Sequence, residues 1–219
     1  MTKNMSRGLS FVTKIFICLF IFALFNSLTF ANPKSLESLL EQENEAVELS
    51  KIWKADSFAK AIVQFEQTAT DWENIGDLPK AIFCLNEAAK LSQIVSDYET
   101  AFRVLDKALR LSTKQNLVAE KTISLSLYAL ISRQKGKKVD IENSQKFSEE
   151  AVKLSETVDS PNARGYANLS AGIHTFYHGK LDNAKDFFEK ANSFVLQTSD
   201  IELITQVLLF NGFAAGRDG

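Results

Sequence analysis

In 219 residues the chain sets 25 basic against 27 acidic side chains, scattered along its length. That balance argues against nucleic acid or an anionic membrane as partner, and the one basic run, Arg133-Gln134-Lys135-Gly136-Lys137-Lys138, reads as a solvated helix end. With two cysteines, no phosphate-cradling glycine loop and no G-x-S-x-G, the sequence also lacks the usual marks of metal-cluster, nucleotide or acyl-transfer chemistry.

The first segment reads as an export signal. Lys3, Arg7 and Lys14 are basic, no acid occurs before Glu37, and Ile15 to Phe25 is an apolar run of 11 residues. Such a run fits a signal core and falls short of the ~20 residues a spanning helix needs. Thr29-Phe30-Ala31 supplies small residues three and one before a cut after Ala31. Cleavage there removes three of the 25 basic residues and none of the 27 acidic ones, leaving a mature net charge of −5. Residues 1–31 are thus expected to be a signal peptide and 32–219 a periplasmic or secreted body with no membrane contact after cleavage. Cys18 leaves with the signal. Cys84 then stands alone among Ala81, Ile82 and Leu85, which predicts a small buried apolar side chain.

The body repeats itself. The segments beginning at Phe58, Tyr98, Ile141 and Leu181 align, with spacings of 40, 43 and 40 residues. Three residues into each comes a small residue: Ala61, Ala101, Ser144, Ala184. Four further come Phe65, Leu105, Ser148 and Phe188, and three beyond those Thr68, Ala108, Ala151 and Ala191. The longer gap coincides with the polar stretch Lys137-Lys138-Val139-Asp140. A second set of small residues, Ala89, Ala129, Gly172 and Gly212, is flanked by large apolar ones such as Leu85, Leu125, Leu169 and Leu209. Small residues at fixed places let antiparallel helices approach closely, while large neighbours fill the grooves between pairs. No single pair covers its own apolar face, so the pairs must stack into an array.

In chain order the spacing predicts helices over 36–54, 57–74, 78–94, 97–113, 116–135, 141–157, 161–178, 181–197 and 200–215. Start signals accompany them. Ser38-x-x-Glu41, Ser96-x-x-Glu99 and Ser199-x-x-Glu202 read as capping boxes, while Ser160-Pro161 and Asp77 with Pro79 read as a cap followed by a first-turn proline. Nothing reads as a strand. The predicted fold is all-α, a superhelix of four helix pairs plus one unpaired helix at the end. That ninth helix, with Val207, Leu208, Leu209, Phe210 and Phe213, is apolar enough to suggest end-to-end self-association, or a chain cut short before a fifth pair.

These residues resemble the tetratricopeptide repeat family. The match is best over 167–191, where Gly172, the Gly179-Lys180-Leu181 turn, Ala184, Phe188 and Ala191 fall in the family's order. The period of 40 exceeds the family's 34, Ser144 and Ser148 make the third copy degenerate, and Glu48 and Leu49 stand where the first copy should have small residues. The leader, the spacing and the phrase Asp71-Trp72-Glu73-Asn74-Ile75-Gly76-Asp77 are also similar to the N-terminal repeat regions of bacterial CHAT-domain proteins.

The first resemblance implies a non-enzymatic scaffold whose first helices line a concave groove for a protein or peptide segment. Carried over by position, the groove receives Asn86, Lys90 and Gln93, then Ser126, Leu130 and Arg133, then Leu169, Ile173 and Phe176, with Tyr166 and Tyr177 beside them. An aromatic strip with a few polar neighbours suits a docked segment. Tyr166, Phe176 and Tyr177 are the expected anchors, with Arg133 reading an acidic group. The second resemblance implies the recognition arm of a larger secreted protein. His174 and His178, four apart, could share a metal, yet Thr175 stands where a metalloprotease would carry Glu. No catalytic residue, cofactor or metal is therefore expected.

Overall fold

In the computed structural model, residues 35–217 are described, and the proposed signal peptide lies outside them. Among the described residues there are nine helices and no strand. They are α1 (Leu36–Ser50), α2 (Ala55–Asn74), α3 (Leu78–Ile94), α4 (Tyr98–Lys114), α5 (Val118–Lys135), α6 (Lys138–Ser155), α7 (Pro161–Tyr177), α8 (Leu181–Val195) and α9 (Ile201–Gly216). None of them is long and apolar enough to cross a membrane.

Short turns force each helix to pack antiparallel on its predecessor. Gly76, Ser96, Asn116 and Gly136 all take a positive φ and lie 20 residues apart, so one turn type recurs at half the sequence period. In the first three, the N–H after the left-handed residue reaches back to a carbonyl of the last helical turn. These bonds are Asp77 to Trp72 at 3.0 Å, Asp97 to Ser92 at 2.8 Å and Leu117 to Ser112 at 2.8 Å. This closure satisfies carbonyls that the helix end would leave open.

Caps begin the next helix. The Asp77 carboxylate accepts from the Lys80 N–H at 3.2 Å, and the Ser160 hydroxyl accepts from the Ala163 N–H at 3.3 Å, as the sequence suggests. The proposed capping boxes do not form. Ser38 lies inside α1, and Asp97 and Asp200 take the cap positions one residue after Ser96 and Ser199. At the first of these turns Ser96 is committed to the left-handed residue itself, leaving the carboxylate that follows it to face the helix. The inserted stretch at 137–140 is also no loop. Lys138 opens α6, and Asp140 is buried near Lys135 at 3.6 Å.

The packing follows the repeat register. All twelve small, large and small positions of α2, α4, α6 and α8 are no more than 2% exposed. Ala89, Ala129 and Gly172 are buried opposite them. A Cβ on Gly172 would lie 2.4 Å from the Phe188 ring, so only glycine admits that ring. Besides these neighbours, the odd helices touch one another, α3 on α5, α5 on α7 and α7 on α9. They form an inner row and the even helices the outer one. The described residues are thus an all-helical superhelical repeat array, with α9 packed on α8 and α7 as a ninth, partnerless first helix.

Cys84 is buried, and burial pushes its thiol well above the ordinary range. A buried polar group near it has no counterpart in the repeat pattern. Trp72 Nε1–H donates to Glu43 at 3.0 Å, and Lys80 reaches the other oxygen of the same carboxylate at 2.6 Å. This ties α1 to α2 and α3 where the first copy lacks its small residues.

Candidate binding groove

The inner row has a closed end and an open end. At the closed end, polar side chains of the odd helices meet around a smaller cavity of about 210 Å³. Ser124 donates to Asn86 at 2.9 Å, Tyr166 donates to Asp200 at 3.0 Å, and Thr198 meets Asn162. Lys90, only 8% exposed, lies 2.6 Å from Glu87 on its own helix and 2.8 Å from Glu202 on α9. Burial works against the Lys90 ammonium, but the flanking acids outweigh it and hold its pKa well above the usual lysine value. Burial likewise raises the Glu87 carboxyl and the Tyr166 hydroxyl. A residue of the second pair thereby meets one of the ninth helix, so the array is wound tightly enough to close on itself.

Toward the C-terminal ends of the same helices the space opens into a cavity of about 810 Å³. Leu127, Leu130, Ile173, Leu209 and Phe210 give it an apolar lining; Gln93, Arg133, Gln134, Tyr177 and Gln206 supply polar atoms. Tyr177 is 54% exposed, and the Arg133 guanidinium sits 4.7 Å from its ring centroid. Such stacking holds a cation in place without neutralising it. Among the described residues no carboxylate pairs with Arg133, whereas Lys90 has two.

The eleven residues placed in or beside the groove from sequence separate accordingly. Lys90, Gln93, Leu130, Arg133, Ile173 and Tyr177 line the cavity, while Asn86 and Ser126 are buried. Tyr166, 2% exposed, belongs to the closed end. Leu169 and Phe176, at 0% and 5%, sit in the core, with Phe176 packed on Phe188 and Phe210 and covered by Arg217. Leu209, Phe210 and Gln206 were not foreseen as groove residues. The signal was present, since Leu209 lies 40 residues after Leu169, but the winding that brings α9 to α3 has no trace in the period.

His174 and His178 face another cleft, of about 380 Å³, bounded by α6, α7 and the start of α8. Their rings stack at 4.2 Å, and His178 Nδ1 lies 2.8 Å from the His174 carbonyl oxygen. His174 is 9% exposed, its Nδ1 has no partner, and burial, then His178 and Arg133, push its pKa down to about 4. Among the described residues no group of three His, Cys, Asp or Glu side chains converges as a metal would require.

No family model matches the chain, and no curated protein matches it in sequence. Among solved structures the chain is similar to the crystal structure of BtubC (BKLC) from P. vanneervenii, at 16% identity and a TM-score of 0.47, over 84% of this chain and 85% of that one. A likeness this distant carries no argument about function, which rests on the groove itself.

Proposed function

We propose that the chain is an exported tetratricopeptide-like scaffold that holds a protein or peptide segment in its concave groove, at the open end formed by α5, α7 and α9. The observation that carries this reading is the Tyr177–Arg133 pair at the edge of an apolar-lined cavity. A half-exposed aromatic ring held in place by a cation without a carboxylate partner is a ready anchor for an apolar side chain beside an acidic group. A volume of about 810 Å³ falls in the range of sites that enclose small ligands, so it accepts a few side chains and not a folded domain.

The test is a random-peptide display selection on the protein, followed by calorimetry of a selected peptide with three variants. Truncating an anchor typically costs about 2 kcal/mol, near thirtyfold in affinity. Tyr177→Ala is expected to weaken binding by about that factor and Arg133→Ala to weaken it chiefly for acidic peptides. Lys107→Ala, whose ammonium pairs with Glu73 at 2.9 Å between the outer helices α4 and α2, should bind as the parent does. Equal losses in Tyr177→Ala and Lys107→Ala, or no selected peptide at all, would contradict the proposal. Export belongs to the same reading: the intact mass of the exported protein should place Asn32 at its amino terminus.

A further inference from the structure

Where the odd helices meet at their closed end, the charges do not balance. The cavity of about 210 Å³ there is bounded by α3, α5, α7 and the start of α9. Glu87, Glu120 and Asp200 line it, against the single ammonium of Lys90. That ammonium is already divided between Glu87 and a fourth acid, Glu202. The Asp200 oxygens accept from the Tyr166 hydroxyl and the Leu203 N–H. The Glu120 carboxylate has no ion-pair or hydrogen-bond partner among the described residues; only its backbone carbonyl is engaged. Burial raises the Glu87 carboxyl, Lys90 opposes that, and the Glu202 and Asp200 charges raise it further. The place lacks a cation.

A second observation is independent of the acids. Asn86 lines the cavity and is only 5% exposed. Its amide meets Ser124 at 2.9 Å, but the single Ser124 proton also lies within reach of the Glu120 carbonyl oxygen at 3.0 Å. When the hydroxyl donates to Asn86, the amide nitrogen is left over. When it donates to its own helix, Oγ accepts from that nitrogen and the amide oxygen is left over. In both arrangements one atom of a buried amide has no partner among the described residues. An N–H donor in the cavity selects the second.

The rest of the lining sets the body of the occupant. Ile82, Ile123 and Leu127 are apolar, and Phe83, 42% exposed, adds an aromatic ring of the kind that attracts cations. Among the described residues no three His, Cys, Asp or Glu side chains converge as a metal ion requires. The acids are spaced instead for an organic cation whose donors project from a hydrocarbon body.

We propose that the closed-end cavity binds a small primary alkylammonium, with Glu120 pairing with its charge, the Asn86 amide oxygen accepting one of its N–H donors and the apolar lining covering its short chain. This cavity and the groove share Lys90 and Leu127 but neither Glu120 nor Asn86, so binding at either can fail without the other.

The probes are n-butylamine, tetramethylammonium and butyrate, titrated into the full chain at neutral pH and followed by calorimetry. Butylamine should bind saturably and butyrate should not. Tetramethylammonium, a compact cation without N–H donors, should bind at least about tenfold more weakly than butylamine. Glu120→Gln should weaken butylamine by about tenfold or more while melting as the parent does, since that carboxylate supports no other contact. Glu73→Gln, the same change of charge on the outer row, should bind as the parent does. Asn86→Leu keeps the volume and leaves Ser124 to its own helix; folded by circular dichroism, it should also bind butylamine more weakly. No saturable binding of butylamine, equal binding of tetramethylammonium, or equal losses in Glu120→Gln and Glu73→Gln would overturn the proposal. So would a folded Asn86→Leu variant that binds as the parent does.

Discussion

The third and fourth helix pairs share one register and are held together by different chemistry. In the fourth, Phe188 sits on Gly172 and joins Phe176 and Phe210 in an aromatic core. In the third, Ser144 and Ser148 take the matching positions; both are buried, and the Ser144 hydroxyl has no partner. Buried Ser132 and Asp140 also keep an unpaired oxygen in this pair, and Leu125 and Ala151 leave the main core, which keeps Leu127 and Ile131, for a separate cluster with Ala167. A stack of Phe102, Tyr128 and Phe147, with centroids 4.8 and 4.5 Å apart, takes over some of the packing at its edge. Backbone register therefore survives the loss of the large apolar residue, provided its replacement is small. What is lost is cohesion, because a void or an unpaired hydroxyl gives back the dispersion and burial that a ring would supply.

The largest effect should follow from removing the ring where it is used. Phe188→Ala should cost about 3–5 kcal/mol, the range for truncating a buried aromatic, whereas Ser148→Ala at the equivalent site should stay under about 1 kcal/mol. Urea unfolding of the two variants, with the parent slope retained, checks this. Equal losses would mean that the two pairs are packed alike.

The next effect depends on pH. His174 lies in the cleft between the two pairs, facing His178, Arg133, Glu149 and Lys180, and its folded pKa is about 4 against an ordinary 6.5. As pH falls, the unfolded chain takes up this proton first. The stability tied to neutral His174 is thus complete above about pH 6.5 and is lost as pH drops toward 4. His174→Leu should flatten the fall in urea midpoint between pH 7 and pH 4.5. An unchanged slope would show that the imidazole is hydrated rather than buried.

Smaller gains are expected where the chain departs from its own pattern. Ser144→Ala removes a buried hydroxyl without a partner and should be neutral or stabilising by about 1 kcal/mol. Ser96 holds φ of 62° at a turn where the copies at Gly76 and Gly136 have glycine, so Ser96→Gly should also gain about 1 kcal/mol. Thermal melts resolve both signs, and a loss in the second would mean that the Ser96 side chain supports its turn.

Much of this architecture was legible from the spacing of alanines and glycines, because close helix contacts tolerate few residue types and so write a period into the sequence. The twelve buried positions were found that way, and the caps at Asp77 and Ser160 from the prolines that follow them. The capping boxes at Ser96 and Ser199 failed because an aspartate one residue later serves as the cap instead. The Lys90–Glu202 contact could not be read at all. It depends on how strongly the array winds, which sums small rotations over all pairs and leaves no local mark. The same winding separates Tyr177, which stays exposed, from Tyr166 and Phe176, which become packing.

The central structural claim is that one forty-residue register governs packing through α9, where among the described residues nothing covers Gly212. Thermal melts of Gly172→Leu and Gly212→Leu, measured side by side, test it most directly. Overpacking a close contact costs about 1–3 kcal/mol, and glycine within an exposed helix costs about 1 kcal/mol relative to better helix formers. Gly172→Leu should therefore melt well below the parent, and Gly212→Leu at or slightly above it. Equal destabilisation of both, or none in either, would contradict the register.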